Sequence, residues 1–96
     1  MTVTLSNARL KAQISSQGAE LTALCDEQGR DLLWDGDPAF WTGRSPLLFP
    51  IVGRLRDDTA LIGGRPYVMR QHGFARHSTF DIVDAGTESC RLRLSA

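Results

Sequence analysis

The chain has 96 residues, 42% of them hydrophobic and 23% charged, which fits one globular domain and excludes a disordered chain. Eleven basic and eleven acidic residues give zero formal net charge, which argues against a nucleic-acid binder or a polybasic membrane anchor. The N-terminus has no signal-peptide pattern, and the longest apolar run is too short to span a bilayer. We therefore predict a soluble cytoplasmic protein that binds neither nucleic acid nor membrane, with a single domain over residues 1–96.

Short strand patterns separated by turn residues follow one another along the chain. The first three are "TVTL", "RLKAQISS", in which apolar and polar residues alternate, and "AELTALCD". "DLLW" predicts another strand, and "DPAFWTG" one helical turn capped by Asp37. "LIGGRPYVM" predicts a hairpin, because Gly63 and Gly64 can adopt the positive φ of a primed turn. With "TFDIVD" and "CRLRLSA" at the end, the pattern predicts an antiparallel all-β sandwich or barrel.

The last predicted strand ends directly at the end of the sequence. Ala96 follows it without a polar tail or a capping turn. A domain that ends in this way leaves an unpaired strand edge, which favours pairing with more polypeptide. We expect either a piece of a larger protein or a chain that completes its sheets with another copy, and hence a homo-oligomer.

The segment "SPLLFPIVGRLRDD" contains the most apolar run of the chain. Its composition predicts a strand buried on both faces, although Pro50 has no amide hydrogen to donate to a central ladder. Gly53 permits a change of direction, and Arg54 follows at once. An arginine at the end of a buried segment is either a structural ion-pair partner or a donor to a ligand. The residues alone favour the structural role.

The segment "QHGFARHS" places two histidines and an arginine around a Gly-Phe step. Gly73 frees the backbone beside His72, and Phe74 is expected to anchor the loop in the core, so that His72 is held in place. A histidine can donate to or protonate a substrate oxygen near neutral pH. In an extended segment Arg76 would lie on the Phe74 side and His77 on the opposite side. The alternative is a surface loop with one hydrogen-bonded structural histidine.

Aromatic residues and cysteines give weaker signals. Trp34, Phe40 and Trp41 lie close together and are interpreted as core, with a flat platform for a sugar ring as the alternative. Cys25 and Cys90 lack metal-ligand spacing, so the sequence predicts two free buried thiols and no zinc site. No motif calls for a metal or another cofactor.

Three segments together carry a family resemblance. "GAELTAL", "LLWDGDPAFWTGRSPLLFPIVGRLRD" and "QHGFAR" resemble the aldose 1-epimerase (galactose mutarotase-like) family, most closely its bacterial hexose-phosphate-epimerase-like branch. Members are much longer than this chain. The resemblance therefore implies the N-terminal third of a large antiparallel β-supersandwich and a small-molecule sugar or sugar phosphate as ligand.

The resemblance also implies roles for individual residues. Arg54 matches an arginine that binds sugar hydroxyls, and His72 matches a histidine near the ring oxygen that binds and polarises the sugar. Arg76 matches the arginine of the "HGFAR" form and is the candidate phosphate partner of the sugar-phosphate branch, with Arg44 as a further candidate. We therefore predict His72 as a catalytic residue, and Arg54, His72 and Arg76 as substrate-binding residues.

The principal catalytic groups of the family fall outside this sequence. Opening a pyranose ring needs a base at the anomeric hydroxyl and an acid at the ring oxygen. In the family these are a glutamate and a second histidine, which lie in the later part of the domain. The resemblance therefore implies a mutarotase-like protein whose 96-residue chain is inactive alone. The alternatives are a non-catalytic carbohydrate-binding fragment and a self-associating β-sandwich fragment.

Overall fold

The structure, a computed structural model, describes residues 1–95 and is built from β-strands. Two single turns of 3₁₀ helix, Arg56–Asp58 and Ala75–His77, interrupt the strands. The strands are β1 (Thr2–Ser6), β2 (Leu10–Ser15), β3 (Leu21–Asp26), β4 (Thr59–Ile62), β5 (Arg65–Val68), β6 (Asp81–Ala85) and β7 (Cys90–Arg93). All pairings between these strands are antiparallel, which confirms the predicted all-β antiparallel class. Within residues 1–95, no helix is long and apolar enough to cross a membrane.

The first three strands form one sheet in the order β1-β2-β3, as the alternating segments predict. Val3 pairs with Ile14, and Ala12 pairs with Leu24, so apolar side chains of neighbouring strands lie on the same face. The β1–β2 turn is closed by Asn7, whose side-chain oxygen accepts the backbone N–H groups of residues 9 and 10. This sheet provides the β2–β3 turn, which contacts the candidate site described below.

The remaining strands form two hairpins. In the β4–β5 hairpin, Gly63 and Gly64 have φ of 58° and 79°, the two consecutive positive values of the predicted primed turn. The β6–β7 hairpin brings Ile82 opposite Leu92, with a register shift before Asp84. The predicted hairpin at Gly63-Gly64 is therefore confirmed, and the last two predicted strands are present and pair with each other.

The segment between β3 and the apolar run departs from the prediction. "DLLW" is not a strand: Asp31 makes one isolated bridge to Cys25, and the chain then leaves the sheet. The indole N–H of Trp34 donates to the carbonyl of Trp41 at 2.7 Å and folds this segment back on itself. The predicted turn at Asp37 is present, because its side chain accepts the N–H of residue 39 at 2.9 Å.

Little of the chain is buried. Its radius of gyration is 15.9 Å, against about 12–13 Å for a compact domain of this length. The buried apolar residues are Val3, Met69 and Ala75. The interpretation of Trp34, Phe40 and Trp41 as core is wrong, because all three are exposed.

The apolar run of residues 47–52 is not a strand buried on both faces. Phe49 is 59% exposed, and its one ladder contact is an isolated parallel bridge to Gly73. Phe74, expected in the core, is 46% exposed, and Ala75 takes the buried position at 2%. The reason is that residues 1–95 provide no second layer over this surface. This surface forms instead one side of a groove of about 490 Å³ that is lined by apolar residues: Leu47, Leu48, Phe49, Phe74, Ala75, Phe80 and Leu94.

Candidate functional site

His72 is fixed by two hydrogen bonds to a single residue of a distant segment. The N–H of Gly53 donates to the ring Nδ1 of His72 at 2.9 Å, and the N–H of His72 donates to the carbonyl of Gly53 at 2.8 Å. Because Nδ1 is an acceptor, the neutral ring carries its proton on Nε2, which is left as a donor. The prediction that His72 is held in place is confirmed.

The backbone around His72 adopts the left-handed conformation at two consecutive residues. His72 has φ of 63° and Gly73 has φ of 75°. Such a conformation is uncommon for a residue with a side chain, and it persists where surrounding contacts determine it. Here those contacts are the two hydrogen bonds to Gly53.

Gly73 also lies directly against the apolar run. A Cβ added at Gly73 would overlap the carbonyl of Phe49 and lie 2.7 Å from the nitrogen of Pro50. The same Phe49 carbonyl accepts the N–H groups of Phe74 at 3.0 Å and Ala75 at 3.2 Å. The loop is therefore bonded to the segment of residues 49–53 at both ends, and only glycine fits at position 73.

Arg54 follows Gly53, so its backbone lies next to the His72 attachment. Its Nε donates to the carboxylate of Asp58 at 3.2 Å, an ion pair whose Arg54 side chain is 70% exposed. This is the structural role that the residues alone favoured. An exposed pair of this kind contributes little to stability.

Arg76 lies in the 3₁₀ turn Ala75–His77, so the segment is not extended. The prediction that Arg76 and His77 lie on opposite sides assumed an extended segment, so it does not apply here. The Nη2 of Arg76 donates to the carbonyl of Gln71 at 3.0 Å, while its buried Nε has no hydrogen-bond partner among residues 1–95. The guanidinium thus lies next to the backbone of the residue that precedes His72.

Arg44, the further candidate, has a backbone contact that the sequence did not indicate. One carboxylate oxygen of Glu20 accepts the N–H groups of Arg44 at 2.8 Å and Ser45 at 3.1 Å. The Arg44 guanidinium donates to the carbonyl of Asp35 at 2.8 Å. No spacing rule indicates a contact between Glu20 and residues 44 and 45, because they lie 24 and 25 positions further along the chain. These contacts fix the backbone of Arg44 and tie its half-buried side chain to the Asp35 carbonyl, which is a structural setting.

Metal ligands and thiols do not converge on these residues. In residues 1–95, no three His, Cys, Asp or Glu side chains are grouped closely enough to hold a metal ion. Cys25 and Cys90 are free and half-buried. The hydrogen bond from the Cys25 thiol to the Asp31 carboxylate raises the pKa of Cys25, which disfavours the thiolate.

Comparison with known proteins identifies the family. The family described as aldose 1-epimerase matches residues 1–96. The chain belongs to the aldose 1-epimerase family. The chromosomal and plasmid forms of protein LacX from Lactococcus lactis subsp. lactis are each 38% identical over 94 residues, which is 93% of this chain and 31% of theirs.

Solved structures agree with this assignment. A galactose mutarotase related enzyme from Lactobacillus acidophilus superposes with a TM-score of 0.92 at 36% identity, covering 98% of this chain and 32% of that one. A galactose mutarotase-like protein from Lactobacillus casei gives 0.84 at 38% identity, covering 91% and 30%. The chain therefore has the fold of part of a galactose mutarotase-like β-supersandwich and spans about a third of the relatives it matches.

Proposed function

We propose that this chain supplies one wall of a sugar-binding cleft in a mutarotase-like protein that acts on aldohexoses or hexose phosphates. The observation that carries the proposal is the reciprocal pair of hydrogen bonds between Gly53 and His72. It joins two of the three segments that carry the family resemblance. It also leaves a histidine N–H without a partner among residues 1–95.

His72 is the catalytic residue of this proposal. Because Nδ1 accepts the Gly53 amide, Nε2–H remains as the donor that can bind a sugar oxygen. A donor at a pyranose ring oxygen polarises the C1–O bond that breaks when the ring opens. The left-handed backbone at His72 fits this role, because strained residues are concentrated at functional sites.

Arg54 and Arg76 bind the substrate in this proposal. Arg54 is exposed and held only by a weak ion pair, so sugar hydroxyls can replace the carboxylate of Asp58. Arg76 is fixed against the carbonyl of Gln71 and presents the rest of its donor fork to a hydroxyl or a phosphate. Arg54 follows Gly53, the hydrogen-bond partner of His72, and Arg76 lies four residues after His72 along the chain.

The 96-residue chain alone is expected to bind sugar without turning it over. The family resemblance assigns the base and the second acid to a part of the domain that this sequence does not contain. Each well-placed acid or base contributes about 10²–10⁴-fold to the rate, so a single polarising histidine gives no useful turnover.

Two measurements on the chain test this proposal. Polarimetry follows the optical rotation of freshly dissolved α-glucose and α-galactose, and we expect no faster relaxation than in buffer. Calorimetric titration with hexoses and hexose 6-phosphates is expected to give weak, millimolar binding. Relaxation faster than buffer would overturn the inactivity of the chain, and absence of heat with every sugar would overturn the binding function.

The His72→Asn variant isolates the proposed donor. The side-chain oxygen of asparagine can accept the Gly53 N–H in place of Nδ1, and asparagine tolerates positive φ, but the Nε2–H is lost. We expect an unchanged melting temperature and about threefold to tenfold weaker sugar binding. His72→Ala, the matched variant, loses both interactions and should lower the melting temperature as well. Equal sugar binding in the wild type and His72→Asn would exclude His72 from the ligand.

A second function, self-association, is favoured by the apolar groove. Seven apolar residues line it without a charged group, and the core of the chain is small. We propose that a second copy covers this surface when the chain is alone. Light scattering across a concentration series is expected to show a dimer or larger species, and a clean monomer would contradict this.

A further inference from the structure

The turn between β2 and β3, residues 16–20, contacts both segments of the candidate site. Gly18 and Ala19 have φ of 72° and 49°, so the left-handed conformation extends to a residue with a side chain. Ser16 and Gly18 are buried although the turn connects the central strand β2 to the edge strand β3. A strained and buried turn of this kind is determined by its contacts rather than by its own sequence.

One side of the turn binds the chain just after Arg76. The N–H of Gly18 donates to the carbonyl of Ser78 at 2.7 Å, and the N–H of Phe80 donates to the carbonyl of Ser16 at 2.8 Å. A Cβ added at Gly18 would lie 2.7 Å from the carbonyl oxygen of Arg76. The backbone of Arg76 therefore rests on Gly18 at a distance that only glycine permits.

The other side of the turn holds the segment that leads to Phe49. Glu20 accepts the N–H groups of Arg44 and Ser45, and the Ser45 hydroxyl donates to the carbonyl of Leu21 at 2.7 Å. Four residues further along the chain, the carbonyl of Phe49 accepts the N–H groups that begin the 3₁₀ turn. A closed circuit of contacts thus runs from Glu20 through Phe49 and the Arg76 turn to Gly18.

We infer that the β2–β3 turn is the positioning element of the sugar site. Gly18 positions Arg76 by close contact with its backbone carbonyl. Glu20 fixes residues 44 and 45, which lead into the segment that is hydrogen-bonded to the His72 loop. The inference rests on the proposed function, because it assigns the turn a role in binding through Arg76 and His72. Neither residue of the turn touches the sugar itself.

A matched pair of glycine variants separates positioning from backbone strain. Gly18→Ala and Gly29→Ala both place a side chain at positive φ, 72° and 78°, but Gly29 has open space where Gly18 has the Arg76 carbonyl. We expect both variants to melt at lower temperature than the wild type. Only Gly18→Ala should weaken hexose binding, by about threefold to tenfold, and shift the Arg76 Nε–H resonance in NMR spectra. Equal effects of both variants on affinity and on that resonance would overturn the inference.

A second pair of variants is available if Gly18→Ala does not fold. Glu20→Gln keeps an acceptor oxygen but removes the charge that strengthens its two amide hydrogen bonds. Glu27→Gln removes the same charge from an exposed side chain. We expect Glu20→Gln to shift the Arg76 and His72 side-chain resonances and to weaken hexose binding about threefold, with Glu27→Gln like the wild type. Unchanged resonances in Glu20→Gln would contradict the positioning role.

The two proposals fail in distinguishable ways. If the wild type binds no hexose, the proposed function fails, while the Arg76 resonance still reports whether the turn positions that side chain. If the wild type binds hexose and Gly18→Ala binds it equally well, the proposed function stands and the positioning role is wrong.

Discussion

The loop of residues 71–80 and the β4–β5 hairpin that precedes it are held in opposite ways. The loop is bonded to two distant segments, residues 49–53 through Phe49 and Gly53, and the β2–β3 turn through Gly18. The hairpin pairs mainly with itself, and apolar side chains such as Val68, 78% exposed, face outward. The contrast shows that the polar contacts of the candidate site are largely complete within this chain, whereas the burial of its apolar surface is not.

The largest effect is expected where the loop meets the apolar run. Gly73→Ala introduces a Cβ onto the Phe49 carbonyl at positive φ, which should cost several kcal/mol, about the total stability of a small domain. Circular dichroism during a urea titration measures the loss. Gly64→Ala is the control, because its φ of 79° is similar but no atom lies within 4 Å, so about 1 kcal/mol is expected. Similar midpoints for the two variants would mean that the loop attachment does not determine stability.

A substitution in the groove tests the uncovered surface. Leu47→Ser removes an apolar side chain from the groove lining while leaving the loop attachments in place. Since burial of a leucine contributes about 1.5–3 kcal/mol, self-association should weaken about tenfold or more, with little change in the melting temperature of the monomer. Light scattering at matched concentrations checks this. Unaltered association would show that the groove is not the contact between copies.

Acid should destabilise the turn of residues 26–30, which belongs neither to the candidate site nor to the apolar groove. The backbone N–H of Arg30, together with its side chain and the N–H of Gln28, holds the pKa of Asp26 below its ordinary value. A carboxyl with a lowered folded-state pKa stabilises above its unfolded pKa, and this contribution disappears as pH falls through the folded value. Asp26→Asn should therefore melt slightly lower than the wild type at neutral pH and equally in strong acid. A difference that is constant with pH would contradict this.

The smallest effect is expected for the exposed ion pair of Arg54. Asp58→Asn removes its charged partner, and we expect a change of about 0–1 kcal/mol in the free energy of unfolding. Sugar binding should be unchanged or tighter, because the guanidinium no longer has to leave a carboxylate. Weaker binding in this variant would mean that the pair orients Arg54 for the ligand.

The accuracy of the sequence-based predictions follows the same division between polar contacts and burial. The strands and the Gly63-Gly64 turn depend on local alternation and φ preference, so the sequence predicted them. Burial of Phe74 and of the apolar run depends on whether a second layer of polypeptide packs on them. The local sequence pattern carries no information about such a layer. The partners of His72 and Glu20 are joined across about twenty residues, so no spacing rule indicates them. The assignment of Arg54, His72 and Arg76 to the ligand stays a prediction, as do the cytoplasmic location and the single domain over residues 1–96.

The Gly63-Gly64 turn has a practical consequence for studying this molecule. Gly53 and His72 are bonded at the base of the segment that contains the hairpin, and the turn lies at its far end with open space around it. Lengthening such a tip is inexpensive, since doubling a loop costs about 0.6 kcal/mol in closure entropy. An affinity tag or a fluorophore inserted there would tether the protein to a surface while the imidazole and its amide partner stay in register.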